Sequence, residues 1–199
     1  DFSGVDYVFS WLGNVDLLLA IIKLMEDKMN SDNDILEVGI QTILLVEDSV
    51  RFYSSVLPHL YKFLLKQSLI FSTEALNEHE QMLRMRGRPK VILARTYEEA
   101  MTLYNKYKNE ILGVITDVSF SRDGEKDKHA GIRLAKEIKE IDPYVPIIME
   151  SSETENAVYA KEMGISFLDK NSKKFPVDLG RIITDNFGFG DFVIRNPET

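Results

Sequence analysis

The chain has 199 residues, a net charge of −8, 44% hydrophobic and 28% charged residues, and no cysteine. That length allows one domain with a proper core plus a substantial appendage, and no apolar run is long enough to span a bilayer. The acidic balance argues against a broad nucleic-acid surface, and the lack of cysteine excludes disulfides and thiolate metal sites, which suits the cytoplasm.

In the first segment, Asn14 is expected to cap a helix with Val15, Leu18, Ile22 and Met25 on one apolar face and Leu17, Ile21 and Leu24 beside it. So wide an apolar face needs cover, which predicts docking on the rest of the chain or a homodimer contact. The polar stretch 30–34 (NSDND) then reads as a linker.

From residue 42 onward, short apolar runs alternate with helical stretches, the pattern of a parallel sheet wrapped by helices. The runs are 42–46 (TILLV), 90–94 (KVILA), 113–116 (GVIT), 146–149 (PIIM) and 165–168 (ISFL). Strands buried on both faces read in this way. Residues 96–99 (TYEE) and 152–155 (SETE) fit the capping box, in which a hydroxyl and a carboxylate three residues on satisfy orphan amides. Asp142-Pro143 and Gly164 are helix stops. Residues 66–88 lengthen the first crossover, with Glu74, Leu76, Met82, Leu83 and Met85 at helical spacing. The basic cluster Arg84, Arg86, Arg88 and Lys90 reads as a solvated helix end. His59, His79 and His129 are too scattered for a metal site, and Trp11 reads as core with the tyrosines and phenylalanines.

In open parallel α/β sheets, function collects at the carboxyl ends of the strands. There the chain places Glu47 and Asp48 after the first run, Asp117 after the third, Glu150, Ser151 and Ser152 after the fourth, and Asp169 and Lys170 after the fifth. Acids converging from neighbouring strand ends repel one another unless a cation lies among them. Mg²⁺, which takes oxygen ligands and bridges carboxylates to phosphate, meets that need. Lys170 supplies a compact positive charge for a carboxylate or a phosphoryl oxygen, and Ser151 a hydroxyl donor. Asp117, alone at the end of the central run, is the candidate nucleophile for phosphoryl transfer, with Glu47 and Asp48 sharing the metal.

The pieces 43–49 (ILLVEDS), 113–117 (GVITD), 131–153 (GIRLAKEIKEIDPYVPIIMESSE) and 164–171 (GISFLDKN) together resemble the receiver domain of two-component response regulators, in the family's order. The resemblance implies a doubly wound, flavodoxin-like sheet of five parallel strands in the order 2-1-3-4-5, with an N-terminal helix and an extended first crossover as additions. It implies that Glu47, Asp48, Asp117 and the Ser119 carbonyl hold Mg²⁺, and that Asp117 is the phosphoacceptor assisted by Lys170. Ser151 is then the switch hydroxyl and Phe167 its coupled aromatic. The implied partner is a sensor histidine kinase or phosphotransfer protein, and the implied role is a signalling module that catalyses its own phosphorylation.

The chain departs from the family at several points. Asn171 stands where a proline is usual, which is expected to loosen Lys170, Glu150 adds a fourth carboxylate, and the loop 118–130 (VSFSRDGEKDKHA) is long. These departures keep open a degenerate receiver that binds partners without phosphorylation. A Mg²⁺-dependent phosphatase ranks last, because Ser119 stands where such enzymes carry a second acid.

Residues 4–25 resemble the last strand and helix of another receiver, with Gly4, Asp6, Tyr7 and Val8 in place and Trp11 where a lysine-proline would stand. The expected division is therefore 1–38 as a helical extension or the tail of a preceding module, 41–186 as the receiver, and 187–199 as a linker toward a further module. The whole also resembles bacterial multidomain proteins in which receiver-like domains precede a phosphoenolpyruvate synthase-type enzyme.

Overall fold

A computed structural model describes residues 5–73 and 87–188. Helix α1 (Asp16–Ser31) runs into a π-helical turn (Asp32–Glu37), followed by β1 (Thr42–Val46) and the long helix α2 (Val50–Thr73). Then come β2 (Lys90–Ala94), α3 (Tyr97–Tyr107), β3 (Ile111–Asp117) and two short strands, β4 (Phe120–Arg122) and β5 (Glu125–Asp127). The remaining elements are α4 (Ala130–Ile141), β6 (Ile147–Ser151), α5 (Ala157–Glu162), β7 (Ser166–Asp169) and α6 (Phe175–Phe187).

The main sheet is parallel throughout, in the order β2-β1-β3-β6-β7. Setting the β4–β5 hairpin aside, this is the expected 2-1-3-4-5. Alternate side chains of each strand feed opposite faces, as the two-residue period requires. Leu44, Val46, Ile92 and Val114 join Tyr104, Leu134 and Ile138 of α3 and α4 in one core. Ile43, Leu45, Val91, Leu93 and Ile115 join Leu57, Leu64 and Ile183 of α2 and α6, together with Leu24 of α1, in the other. The Thr96 hydroxyl caps α3 by accepting from the Glu99 N–H at 3.1 Å, and Gly164 ends α5 in the left-handed conformation at φ 63°.

Helix α1 packs on α2 and on the edge strand β2, but not with the expected face. Leu17, Ala20, Leu24 and Asp27 are buried, whereas Val15, Leu18 and Ile22 stay exposed. The buried set follows i, i+3, i+7, i+10, a single helical stripe. Its last member decides the rotation. The Asp27 carboxylate is wholly buried and receives Arg88 through 2.7 and 3.1 Å hydrogen bonds, the Tyr61 hydroxyl at 2.8 Å and the outward N–H of Val91 on the edge strand at 2.9 Å. Lys90 completes the group, 2.7 Å from Asp34 and 3.7 Å from Asp27. Arg88 and Lys90 are therefore buried partners of the N-terminal helix rather than a solvated helix end, while Arg84 and Arg86 lie outside the described residues.

Four other expectations are corrected. Residues 30–34 form no linker, because α1 passes directly into the π turn. The Ser152 hydroxyl is not a cap: the Ser151 hydroxyl, one residue earlier, accepts from the Glu153 N–H at 3.0 Å and leads into a short 3₁₀ turn (Thr154–Asn156). Trp11 is 61% exposed and Tyr144 91%, so neither is core. Residues 5–13 hold no strand; they lie along α2, where the Tyr53 hydroxyl donates to the Val8 carbonyl and the Ser10 N–H donates to Ser54 Oγ at 2.9 Å. The helical spacing read between Glu74 and Met85 lies outside the described residues.

Candidate functional site

Strand β1 has β2 on one side and β3 on the other, so the carboxyl ends of β1 and β3 flank the point where the winding reverses and leaves a cleft. It is an open cleft of about 780 Å³, with Leu12 of the N-terminal segment on its rim. Each acid reaches it by the local chain path. The ladder continues past β1 through the Glu47 N–H, which donates to the Ala94 carbonyl at 3.0 Å and holds Glu47 in the sheet. Glu47 is fully buried, with Oε1 accepting from the Ser49 N–H at 2.9 Å and Oε2 paired with the Lys170 ammonium. Asp48, one residue on, is partly exposed on the cleft and pairs with Lys126 at 2.7 Å. Asp117 ends β3, with Oδ1 accepting from the Val118 N–H at 2.8 Å and from Lys170 at 2.9 Å. Among the described residues, no donor meets Asp117 Oδ2.

Lys170 is the hub of the cleft. Its own N–H donates to the Ser151 carbonyl at 2.9 Å, extending the β6–β7 ladder, and its Nζ lies 3.9 Å from the centre of the Phe52 ring. Burial alone would lower its pKa, but Glu150, Glu47 and Asp117 together outweigh that and raise it. The acids are pushed the other way. Burial, against the pull of Lys170 and with Asp117 adding repulsion, lifts Glu47 to about 7. Glu150 is lifted to about 8 by burial, with Lys170 opposing and the two other acids adding to it. One ammonium serves three acids, and the surplus negative charge suits a divalent cation. Carboxylate oxygens of Glu47, Asp48 and Asp117 lie within 4.8 Å of one another, the right donor chemistry for Mg²⁺. The Ser119 carbonyl belongs to the same patch, since it and Asp48 share the Lys126 ammonium.

The cleft thus gathers Glu47, Asp48, Asp117, Ser119, Ser151 and Lys170. Phe167 lies apart, partly buried on the core and opposite Met149 in the β6–β7 register. Ser151 is buried, and its hydroxyl also accepts from Asn156 Nδ2 at 2.9 Å, so it is engaged by the loop after β6. The Asn171 side chain donates to the Ser152 carbonyl at 3.0 Å and ties the two loops that carry Ser151 and Lys170. Glu150 sits level with Asp117 in the sheet, and among the described residues neither of its carboxylate oxygens has a hydrogen-bond partner.

Two contributors escaped the sequence reading. Phe52 carries no motif. Lys126 comes from the long loop after Asp117, which folds into the β4–β5 hairpin. Asp123-Gly124 at its tip, with φ of 52° and 80°, is a two-residue type I′ signal that marks such a hairpin. Gly131 is required for a different reason. A Cβ there would lie 1.9 Å from the Asp117 carbonyl oxygen, because the start of α4 presses against the end of β3. Gly131→Ala is expected to cost about 1–3 kcal/mol through the forced backbone shift, read as a lower urea midpoint; an unchanged midpoint would contradict this packing.

No protein-family profile and no curated protein matches the chain. Solved structures do. The chemotaxis protein CheY4 of Vibrio cholerae is 18% identical, with a TM-score of 0.50 over 74% of this chain and 98% of that one. The fold is that of a response-regulator receiver domain. A receiver domain from Clostridium thermocellum is 22% identical over 74% of this chain and 94% of its own, with a TM-score of 0.49. The five-stranded parallel sheet flanked by helices is the flavodoxin-like arrangement of that fold. Among the described residues no helix is long and apolar enough to cross a membrane.

Proposed function

We propose that the chain is a phosphoacceptor module in which Asp117 takes a phosphoryl group from a phosphohistidine on a kinase or phosphotransfer protein. The observation that carries this reading is the single Lys170 ammonium set between Glu47 and Asp117, beside Asp48, at the sheet's switch point. Attack by Asp117 Oδ2 forms an O–P bond as the N–P bond of the donor breaks; the electron pair stays on the ring nitrogen, and with the other ring nitrogen of the donor protonated the products are an acyl phosphate and a neutral imidazole. Lys170 orients Asp117 through Oδ1 and leaves Oδ2 free, so the reacting atom is not the one already neutralised. Glu47 holds the lysine from the buried side. Asp48, Asp117 and the Ser119 carbonyl, with Glu47 behind them, would hold Mg²⁺, which neutralises charge on the phosphoryl oxygens when bound. The Ser151 hydroxyl accepts from Asn156 and from the Glu153 amide, which leaves its own O–H to donate to a phosphoryl oxygen and couples it to the loop after β6.

With acetyl phosphate and Mg²⁺, intact mass spectrometry is expected to show one acid-stable, base-labile phosphoryl adduct on the wild type and none on Asp117→Asn. Absence of any Mg²⁺-dependent adduct on the wild type would sink this reading. It would favour instead a phosphorylation-independent interaction module, supported by Lys126 over Asp48, for which partner binding survives in Asp117→Asn.

A further inference from the structure

The β4–β5 hairpin places a cation of the chain's own on the groups assigned above to the metal. Lys126 Nζ donates to both carboxylate oxygens of Asp48, at 2.7 and 2.9 Å, and to the Ser119 carbonyl at 2.7 Å. The hairpin that delivers it is anchored at several points. Phe120 is fully buried in the core beside α3 and α4. Ser121 bridges to Thr96, and the Asp123 N–H donates to Glu98 Oε1 at 2.8 Å. Lys126 pairs with Ser121 across the hairpin, so its backbone is held within reach of the cleft.

We infer that Lys126 is a tethered competitor of the divalent cation: its ammonium occupies the Asp48 carboxylate and the Ser119 carbonyl, and Mg²⁺ binds only as that side chain withdraws. This rests on the metal assignment in the proposed function. The physical basis is that a lysine ammonium and a hydrated Mg²⁺ compete for the same oxygens. A tether raises the local concentration of the ammonium without making its bond strong. The lysine side chain is 54% exposed, so the bond belongs to the weak, screened class of surface ion pairs. The consequence is a lowered but not abolished metal affinity. Phosphorylation would then respond to the Mg²⁺ concentration over a higher range than the three acids alone would set.

Lys128 supplies the control. It lines the same cleft and carries the same charge two residues on. Mg²⁺ titrations of the full chain, followed by amide chemical shifts at residues 47–49 and 117–119, would compare wild type, Lys126→Met, Lys128→Met and Asp48→Asn. Lys126→Met is expected to lower the Mg²⁺ Kd by about two- to five-fold, the range for releasing an exposed ion pair, and Lys128→Met by clearly less. An unchanged or weakened affinity in Lys126→Met overturns the inference, and so does an equal gain in Lys128→Met, which would make the effect one of bulk charge. Wild-type affinity retained in Asp48→Asn, or no shift in any protein, overturns the metal assignment itself.

Discussion

Asp27→Ala is expected to lower the unfolding free energy by about 3–5 kcal/mol, the usual cost of breaking a buried ion pair by deleting one partner. Much of that cost falls on the groups left behind. Arg88 would remain buried with two donors that had met the carboxylate, and the Tyr61 hydroxyl and the Val91 N–H would each lose an acceptor. Lys90 suffers less because Asp34 still accepts from it at 2.7 Å. The size of the effect tests the role of α1 directly. If the helix docks chiefly through Leu17, Ala20 and Leu24, deleting the carboxylate should cost no more than an ordinary surface substitution. A second variant separates lost pairing from lost packing: Asp27→Leu combined with Arg88→Met removes both charges, and most of the loss should be recovered. Urea unfolding of the three proteins measures both. A cost below about 1 kcal/mol for Asp27→Ala, or no recovery in the double variant, would show that the network does not hold the helix.

The sheet was legible because its strands are buried on both faces, so TILLV and KVILA stand out as unbroken apolar runs and mark their own ends. The acids were legible for a related reason: in a chain so arranged, a carboxylate directly after such a run falls at the switch point. The face of α1 was not, because Leu17, Leu18, Leu19, Ile21, Ile22 and Leu24 surround the helix with apolar side chains and periodicity prefers no one side. The choice came from Asp27, and no local rule pairs an aspartate with an arginine 61 positions away. Charge led the reading astray at Arg88 and Lys90, since clustered basic residues ordinarily lie in solvent and only a partner from another segment brings them inside. Lys126 was hidden by strands of three residues, too short to show alternation, although Asp123-Gly124 marked their turn. Glu150 was seen as an added carboxylate, but its isolation depends on what surrounds Oε1 and Oε2, which sequence does not encode locally.

Glu150→Gln is expected to flatten the pH dependence of stability. Burial lifts Glu150 from its ordinary 4.5 to about 8, with Lys170 opposing and Glu47 and Asp117 adding to the rise. The sign follows from which state holds the proton. Between those two values the folded chain keeps Glu150 protonated while the unfolded chain has released it, so the folded state binds more protons and stability falls as pH rises. The contribution is complete below the unfolded value and is lost as pH climbs through the folded one. From about pH 5 to about pH 8 the loss is about 3 kcal/mol for a shift of this size. Glutamine copies the shape of the neutral acid and cannot ionise, so the variant should match the wild type near pH 5 and exceed it by about that amount near pH 8. Glu47, itself lifted to about 7 by burial, remains in both proteins, and because the two acids repel one another the difference between the curves reports the loss of Glu150 together with its effect on Glu47. Chelator in the buffer keeps divalent cations from altering the field of the neighbouring acids. Thermal or urea unfolding across this range decides the matter. Parallel curves for the two proteins would mean that Glu150 ionises freely in the folded chain, and that water reaches the pocket beside Lys170.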